Sequence, residues 1–175
     1  MLTPEPTSAA PADRTALVRS GRPTPRDGAA IWALVASTTL DLNSPYAYVL
    51  WGDHFSSTSR VARLDDDVVG AVIGYRVPDR PDTLFVWQVG VATSQRGRGL
   101  AASLLDELWD DQAGARYLEA TVTPSNQASD RLFRGFAARH DAEVTTTVAY
   151  GEDLFPAGED HEAEVRYRIG PIDGR

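Results

Sequence analysis

The stretch from Thr83 to Ala92 constrains the fold of this chain more than any other. Leu84, Phe85, Val86, Trp87, Val89 and Val91 crowd together with almost no polar interruption. A short apolar run without alternation is the mark of a strand covered on both faces, so it belongs at the centre of a sheet with layers on either side. The loop Thr93 to Arg98 follows, and then a helix from about Gly99 to Gln112 whose Leu100, Leu104, Leu105 and Leu108 form one stripe. With 175 residues, 42% of them hydrophobic, the chain suffices for one well-filled core and is short for two. One domain over residues 17–175 is expected, behind a Pro-, Ala- and Thr-rich tail at 1–16 that reads as mobile.

The other elements arrange themselves around this unit. Leu17 to Arg19 reads as a short strand, and Thr24-Pro25-Arg26-Asp27 supplies a cap, a first-turn proline and a capping-box acid for a helix through Ala36. Trp32 lies on that helix's apolar spacing and reads as core. Ser44-Pro45 opens a second helix to about His54. Arg60 to Leu64 and Val68 to Tyr75 form a hairpin across Asp65-Asp66-Asp67, and Val77 to Asp82, with two prolines, reads as a loop. Beyond the central unit come a strand at Tyr117 to Thr123, a helix from Asn126 to about His140 and a strand at Val144 to Tyr150. An acidic loop, Gly151 to Asp160, leads to a strand at Val165 to Ile169 expected to close the sheet. Hairpins mixed with crossovers indicate an α+β domain with one mixed sheet.

Composition narrows the chemistry. There is no cysteine, which removes thiolate nucleophiles, disulfides and cysteine-ligated zinc. The formal charge is -8 and every one of the 17 basic residues is arginine. Nucleic acid is a poor partner for such a surface, whereas cationic small molecules are attracted to it. No apolar run approaches a membrane span and the first twenty residues lack the apolar centre of a secretory signal, so a cytoplasmic location is expected.

The feature that carries chemistry is Gln95-Arg96-Gly97-Arg98-Gly99-Leu100-Ala101, between the buried strand and the long helix. Successive N–H groups leading into a helix N-terminus form an anion-binding concavity. Gly97 and Gly99 allow the turn and a close approach to the backbone, and Ala101 keeps the first helical turn small. Arg96 and Arg98 add positive charge. Gly97-x-Gly99-x-x-Ala102, with Glu119 beyond it, also fits a dinucleotide fingerprint. That reading is disfavoured, because Thr93 to Arg96 separate the strand from the first glycine and Glu119 falls in mid-strand.

Arg96-x-x-Gly99-x-Ala101 after Val89-Gly90-Val91 resembles the coenzyme A motif of the GCN5-related N-acetyltransferases, and the segment from Thr123 to Phe133 is similar to the motif that follows it there. The resemblance implies the fold of that family: one mixed, mostly antiparallel sheet with a splayed central strand and helices on both faces. It implies acetyl-CoA as co-substrate, its pyrophosphate on Gln95, Arg96, Gly97, Arg98, Gly99, Leu100 and Ala101. Backbone groups of Val89 and Val91, and the side chain of Asn126, are implied to hold the pantetheine arm. One residue departs from the pattern: Phe133 stands where many members carry a tyrosine that returns a proton to the leaving thiolate, and a phenyl ring donates none.

Further stretches, Leu40 to Tyr48, His54 to Ser59, Pro81 to Val89 and Tyr167 to Pro171, are similar to the branch of that family that acetylates a small diamino acid. A homodimer is implied by the same resemblance. An aliphatic amine has a pKa of about 10 and arrives protonated, so a base or a water chain must take its proton. A pocket for two ammonium groups and one carboxylate should be rich in carboxylates with an anion partner. The candidates are Asp41, Asn43, Tyr46, Trp87, His161, Glu162 and Glu164, with Asp41, Glu162 and Trp87 as the catalytic set. Asp41 also reads as a turn residue bonded to its own backbone. Glu162 reads equally as part of a solvated acidic loop, and Trp87 as core. His161 lies beside two glutamates, but no second histidine shares the spacing of a metal site, so no metal is expected. Two other classes stay open: an N-acetyltransferase for another small amine or a protein N-terminus, and a non-catalytic acyl-CoA-binding module.

Overall fold

The computed structural model describes residues 18–158 and 160–173, and the expected tail at 1–16 lies outside them. In chain order the elements are β1 (Val18–Gly21), α1 (Gly28–Ala36), α2 (Pro45–His54), β2 (Ser59–Leu64), β3 (Asp67–Val77), β4 (Arg80–Val91), α3 (Leu100–Asp110), β5 (Tyr117–Val122), α4 (Gln127–Arg139), β6 (Val144–Tyr150) and β7 (Glu164–Ile169). The capping acid of the first helix forms as its sequence indicates. Asp27 accepts from the Thr24 N–H at 2.6 Å and pairs with Arg63 on β2, which ties the entry of α1 to the sheet.

Seven strands form one sheet in the order β1-β2-β3-β4-β5-β7-β6, antiparallel throughout except for β4 beside β5. Its two faces carry two cores. Leu84, Val86 and Leu118 pack under α3 and α4 with Leu104, Leu105, Leu108 and Phe136. On the other face Ile31, Leu34, Val35 and Tyr48 of α1 and α2 pack on Val61, Ala71 and Ile73, with Trp32 partly buried against them as expected. β4 is therefore covered on both sides, and its apolar run follows from that position.

β4 does not stay paired along its length. It meets β5 only from Thr83↔Tyr117 to Val86↔Ala120. At that point a register shift between Ile73 and Gly74 leaves Trp87 without a partner on β3. A bulge of this kind bends its strand and increases the local twist. β4 continues along β3 to Val91, β5 continues along β7 to Val122, and the two part company. The bulge also breaks alternation: Trp87 and Gln88 both reach α2, the indole stacking on Trp51 at 4.8 Å and the amide meeting the Tyr48 hydroxyl, while Val89 turns to the opposite core.

Two sequence expectations change, and a third, the mid-strand place of Glu119, holds. The loop expected over 77–82 contracts to the Pro78-Asp79 turn, with Pro81 inside β4. The two prolines still avoid the ladder, because Pro81 falls in a second irregularity where Arg76 pairs with Leu84 and Val77 with Arg80. The last strand does not close the sheet. β7 lies between β5 and β6, which makes β6 the edge. The burial pattern gives the reason: Tyr167 and Ile169 of β7 reach the core, whereas Thr145, Thr146, Thr147 and Val148 of β6 are exposed. Finally, Glu119 sits with 1% of its side chain exposed in the middle of β5, where it accepts from Arg80 and Arg168, with Arg166 Nε 3.9 Å away. It ties β4, β5 and β7 together and has no ribose-binding role.

Burial pushes the Glu119 carboxyl up, but hydrogen bonds from Arg80 and Arg168 outweigh it and hold the carboxyl below the ordinary glutamate value. A depressed folded-state pKa contributes stability above the unfolded value and loses it as pH falls toward the folded one. Glu119→Gln should lower stability at pH 7 by about 2 kcal/mol, less than a fully buried pair because both arginines keep contact with water. Urea titrations from pH 7 to pH 3 should show a flatter acid limb for the variant. Equal stability of the two proteins at pH 7 would remove the cluster from the account.

Candidate active site

The turn after β4 is built as a cradle. Gln95 is buried at the end of a single 3-10 turn, and Gly97 and Gly99 take φ of 73° and 76°. L side chains resist that region, and glycine does not. A Cβ at either glycine would meet no protein atom within 4 Å, so conformation and the open space in front demand glycine here. Gly99 is the N-cap of α3, whose first N–H groups have no partner within the helix. These donors face a cavity of about 630 Å³, bordered also by Val89 and Val91, whose β5-facing backbone edge lost its partner at the bulge. Arg96 is held back on the strand by its Nε donating to the Val91 carbonyl at 3.2 Å. Arg98 turns toward Gln95 and does not border the cavity, while Arg131 and Arg139 of α4, not singled out in the sequence, do.

A second cavity of about 390 Å³ lies on the other side of the splay. Asp41, Asp160, Glu162 and Glu164 border it with His161, Asn43, Trp87 and Gln88, and no arginine among the described residues does. It attracts cations, and among the described residues the donors around it for a carboxylate are His161, the Trp87 indole N–H and side-chain amides and hydroxyls rather than an arginine. The two cavities meet, sharing Thr39, Leu40, Val89, Asn126 and Ser129. Asn126 uses its side-chain oxygen to cap α4 through the Ser129 N–H at 3.0 Å, which leaves its NH₂ to donate into the junction.

The expected substrate residues separate into two groups. Glu162 is held at the turn before α4 by the Ser125 hydroxyl and by the Ser125 N–H at 3.3 Å. His161 stacks on Phe155 at 3.6 Å, and its Nδ1 lies 2.7 Å from the Glu162 carbonyl. A carbonyl only accepts, so Nδ1 carries a proton and Nε2 is the nitrogen turned toward Asp41, 3.8 Å from its carboxylate. The Asp41 carboxylate is 87% exposed over the cavity. Trp87 borders the cavity and also stacks on Trp51, which packs it against the α1–α2 core while one side of the ring meets the cavity. Tyr46 projects from α2 into solvent and borders neither cavity. Phe133 is buried against the α3–α4 core near Tyr167 and borders neither cavity. No group of His, Cys, Asp or Glu among the described residues is arranged to hold a metal.

A splayed parallel pair, a glycine cradle at a helix N-terminus on one side and a separate acidic cavity on the other are the layout of a transferase that takes an anionic donor and a second substrate from opposite sides. The Acetyltransferase (GNAT) family model matches residues 29–137, and the chain belongs to that family. Among curated relatives, the L-2,4-diaminobutyric acid acetyltransferase of Halalkalibacterium halodurans is 48% identical over 154 residues, 87% of this chain and 81% of that protein. That of Streptomyces coelicolor is 50% identical over 156 residues, covering 86% and 91%. Among solved structures, the diaminobutyrate acetyltransferase EctA of Paenibacillus lautus, in complex with its substrate L-2,4-diaminobutyric acid and coenzyme A, superposes with a TM-score of 0.88. It is 45% identical, over 91% of this chain and 98% of that one. The chain is thus an acetyl-CoA-dependent N-acetyltransferase, with the mixed, splayed sheet and two-sided helices that its sequence indicated.

Gly99→Val tests the cradle. A β-branched residue at φ near 76° is strained by about 1–2 kcal/mol, and its methyls enter the space where a pyrophosphate would approach the N–H groups. The acetyl-CoA KM should rise at least about tenfold, with the amine KM unchanged and circular dichroism showing a folded protein. A folded variant with wild-type acetyl-CoA affinity would sink the cradle assignment.

Proposed function

We propose that this protein transfers the acetyl group of acetyl-CoA to the 4-amino group of L-2,4-diaminobutyrate, giving N4-acetyl-L-2,4-diaminobutyrate and coenzyme A. The observation that carries the reading is the junction of the two cavities. A thioester delivered along β4 reaches Val89, Asn126 and Ser129, and those residues also border a cavity with four carboxylates, suited to a substrate with two ammonium groups. The 4-amine must shed a proton before it attacks. Glu162 takes that proton, Asp41 holds the other ammonium group, and the Trp87 indole N–H donates at the cavity wall. The N–C bond forms as the C–S bond breaks, with the carbonyl oxygen accepting from a β4 backbone N–H near Val89. Because Phe133 cannot supply a proton, the departing thiolate takes one from the new amide nitrogen or from water.

The same reading places the enzyme in the cytoplasm, where acetyl-CoA is available, on the route to the compatible solute ectoine and hence in osmoadaptation. It also makes the enzyme a homodimer, and exposed apolar side chains support this: Val148 and Tyr150 on the edge strand, Leu42 before α2 and Tyr46 on it. No helix among the described residues is long and apolar enough to cross a membrane. The pyrophosphate cradle comprises Gln95 to Ala101, with Arg96 and Arg98 supplying charge rather than fixed contacts, and residues 17–175 form one catalytic domain.

Thiol release from acetyl-CoA against a panel of diamines, diamino acids and N-terminal peptides, with the product assigned by NMR, tests the proposal. Diaminobutyrate acetylated at nitrogen 4 should exceed every other amine in kcat/KM, and a peptide preferred over it would overturn the reading. Asp41→Asn keeps shape and removes charge. Loss of a charge-assisted hydrogen bond of roughly 1.5–3 kcal/mol should lower kcat/KM for diaminobutyrate at least about tenfold. Wild-type kinetics in the folded variant would take Asp41 out of the site.

A further inference from the structure

Asp41, Leu42 and Asn43 lie in a segment without regular secondary structure, yet both ends of that tripeptide are fastened to the sheet. The Asn43 N–H donates to the Tyr48 oxygen at 3.3 Å, and the Tyr48 hydroxyl donates to Gln88 Oε1 at 3.2 Å. Gln88 Nε2 in turn donates to the Asp41 carbonyl at 2.7 Å. The donor sense is fixed at each step, because a backbone N–H only donates and a carbonyl only accepts. Tyr48 is fully buried and Gln88 is 7% exposed, so water does not compete for these bonds. Gln88 reaches the tripeptide only because the bulge at Trp87 turns it to the α2 side, where regular alternation would face it toward α3.

The Asp41 carboxylate has no comparable anchor. It is 87% exposed, and its one ionic neighbour among the described residues is His161, at 3.8 Å. Its position over the acidic cavity is therefore set by its backbone, and its backbone is set by Gln88 and Tyr48. We infer that Gln88, which itself borders the second cavity, is a positioning residue for amine binding: its hydrogen bonds to Tyr48 and to the Asp41 carbonyl both go to protein atoms, and with Tyr48 it clamps the Asp41 carboxylate over the substrate cavity. The same bulge thus serves both sides of the junction. It frees the β4 edge toward β5 and delivers the amide that fixes the amine-binding loop. A misplacement of about 1 Å at such a loop is enough to weaken binding and orientation strongly.

The inference rests on the reading of the second cavity as the diaminobutyrate site, and its test separates the two. Gln88→Met keeps the volume and removes both hydrogen bonds. The KM for L-2,4-diaminobutyrate should rise at least about tenfold, while the acetyl-CoA KM stays within about twofold of wild type. A merely structural role would instead lower kcat through a smaller active fraction and leave both KM values alone, and that result overturns the inference. If Gln88 acts through Asp41, the double variant Gln88→Met/Asp41→Asn should be no worse than Asp41→Asn, and multiplied losses would overturn it as well. Tyr48→Phe, which removes one hydroxyl and keeps the ring in the core, should raise the diaminobutyrate KM about threefold or more, and it decides the matter if Gln88→Met does not fold. Wild-type enzyme inactive on diaminobutyrate refutes the substrate assignment, whereas active wild type with unchanged KM in both variants refutes the clamp alone.

Discussion

Everything about this site depends on one unpaired residue in a central strand. Trp87 has no partner on β3, and immediately before it β4 and β5 stop pairing. A buried strand whose backbone groups lack partners is costly unless something else satisfies them. An extended, amide-containing thioester arm laid along the unpaired edge, as proposed, would supply the missing donors and acceptors. The cost of the splay is offset by neighbouring contacts. Glu119 fastens β4 to β5 and β7 below the opening, and two separate cores grip β4 from both faces.

Electrostatics divide the labour across the opening. On the cradle side, N–H donors at the start of α3 and the arginines Arg96, Arg131 and Arg139 provide positive potential in a protein of net charge -8. On the other side four carboxylates border a smaller cavity. That division suits an anionic cofactor at one mouth and, on the proposed reading, a cationic amine at the other, with the acetyl thioester and the attacking nitrogen meeting at the junction. Binding therefore orients the reactants before any proton moves, which is where most of the advantage of a two-substrate site arises.

The sequence made the cradle legible because its determinants are local: two glycines at positive φ and a helix start within seven residues. The burial of Thr83 to Val91 was equally plain from its lack of alternation. Strand order was not, since nothing in Val144 to Tyr150 or Val165 to Ile169 states which lies outside, and only the tertiary burial of Tyr167 and Ile169 decides it. The splay of the central strand is implied by the family resemblance, but the consequence of its bulge for Gln88 is hidden, because a single polar residue in an apolar run does not reveal which face it takes. Tyr46, a candidate from the resembling stretch Leu40 to Tyr48, points to solvent, and Tyr48, two residues on, carries the hydroxyl that acts on the loop.

The most direct test of the account is a crystal structure of this protein with coenzyme A and L-2,4-diaminobutyrate bound together. The account predicts pantetheine amides paired with the β4 backbone at Val89 and Val91 and the pyrophosphate on the N–H groups of Gln95 to Ala101. It also predicts the diaminobutyrate 4-nitrogen facing the sulfur across the junction of Val89, Asn126 and Ser129. A coenzyme bound away from the β4 edge, or an amine held outside the acidic cavity, would contradict it.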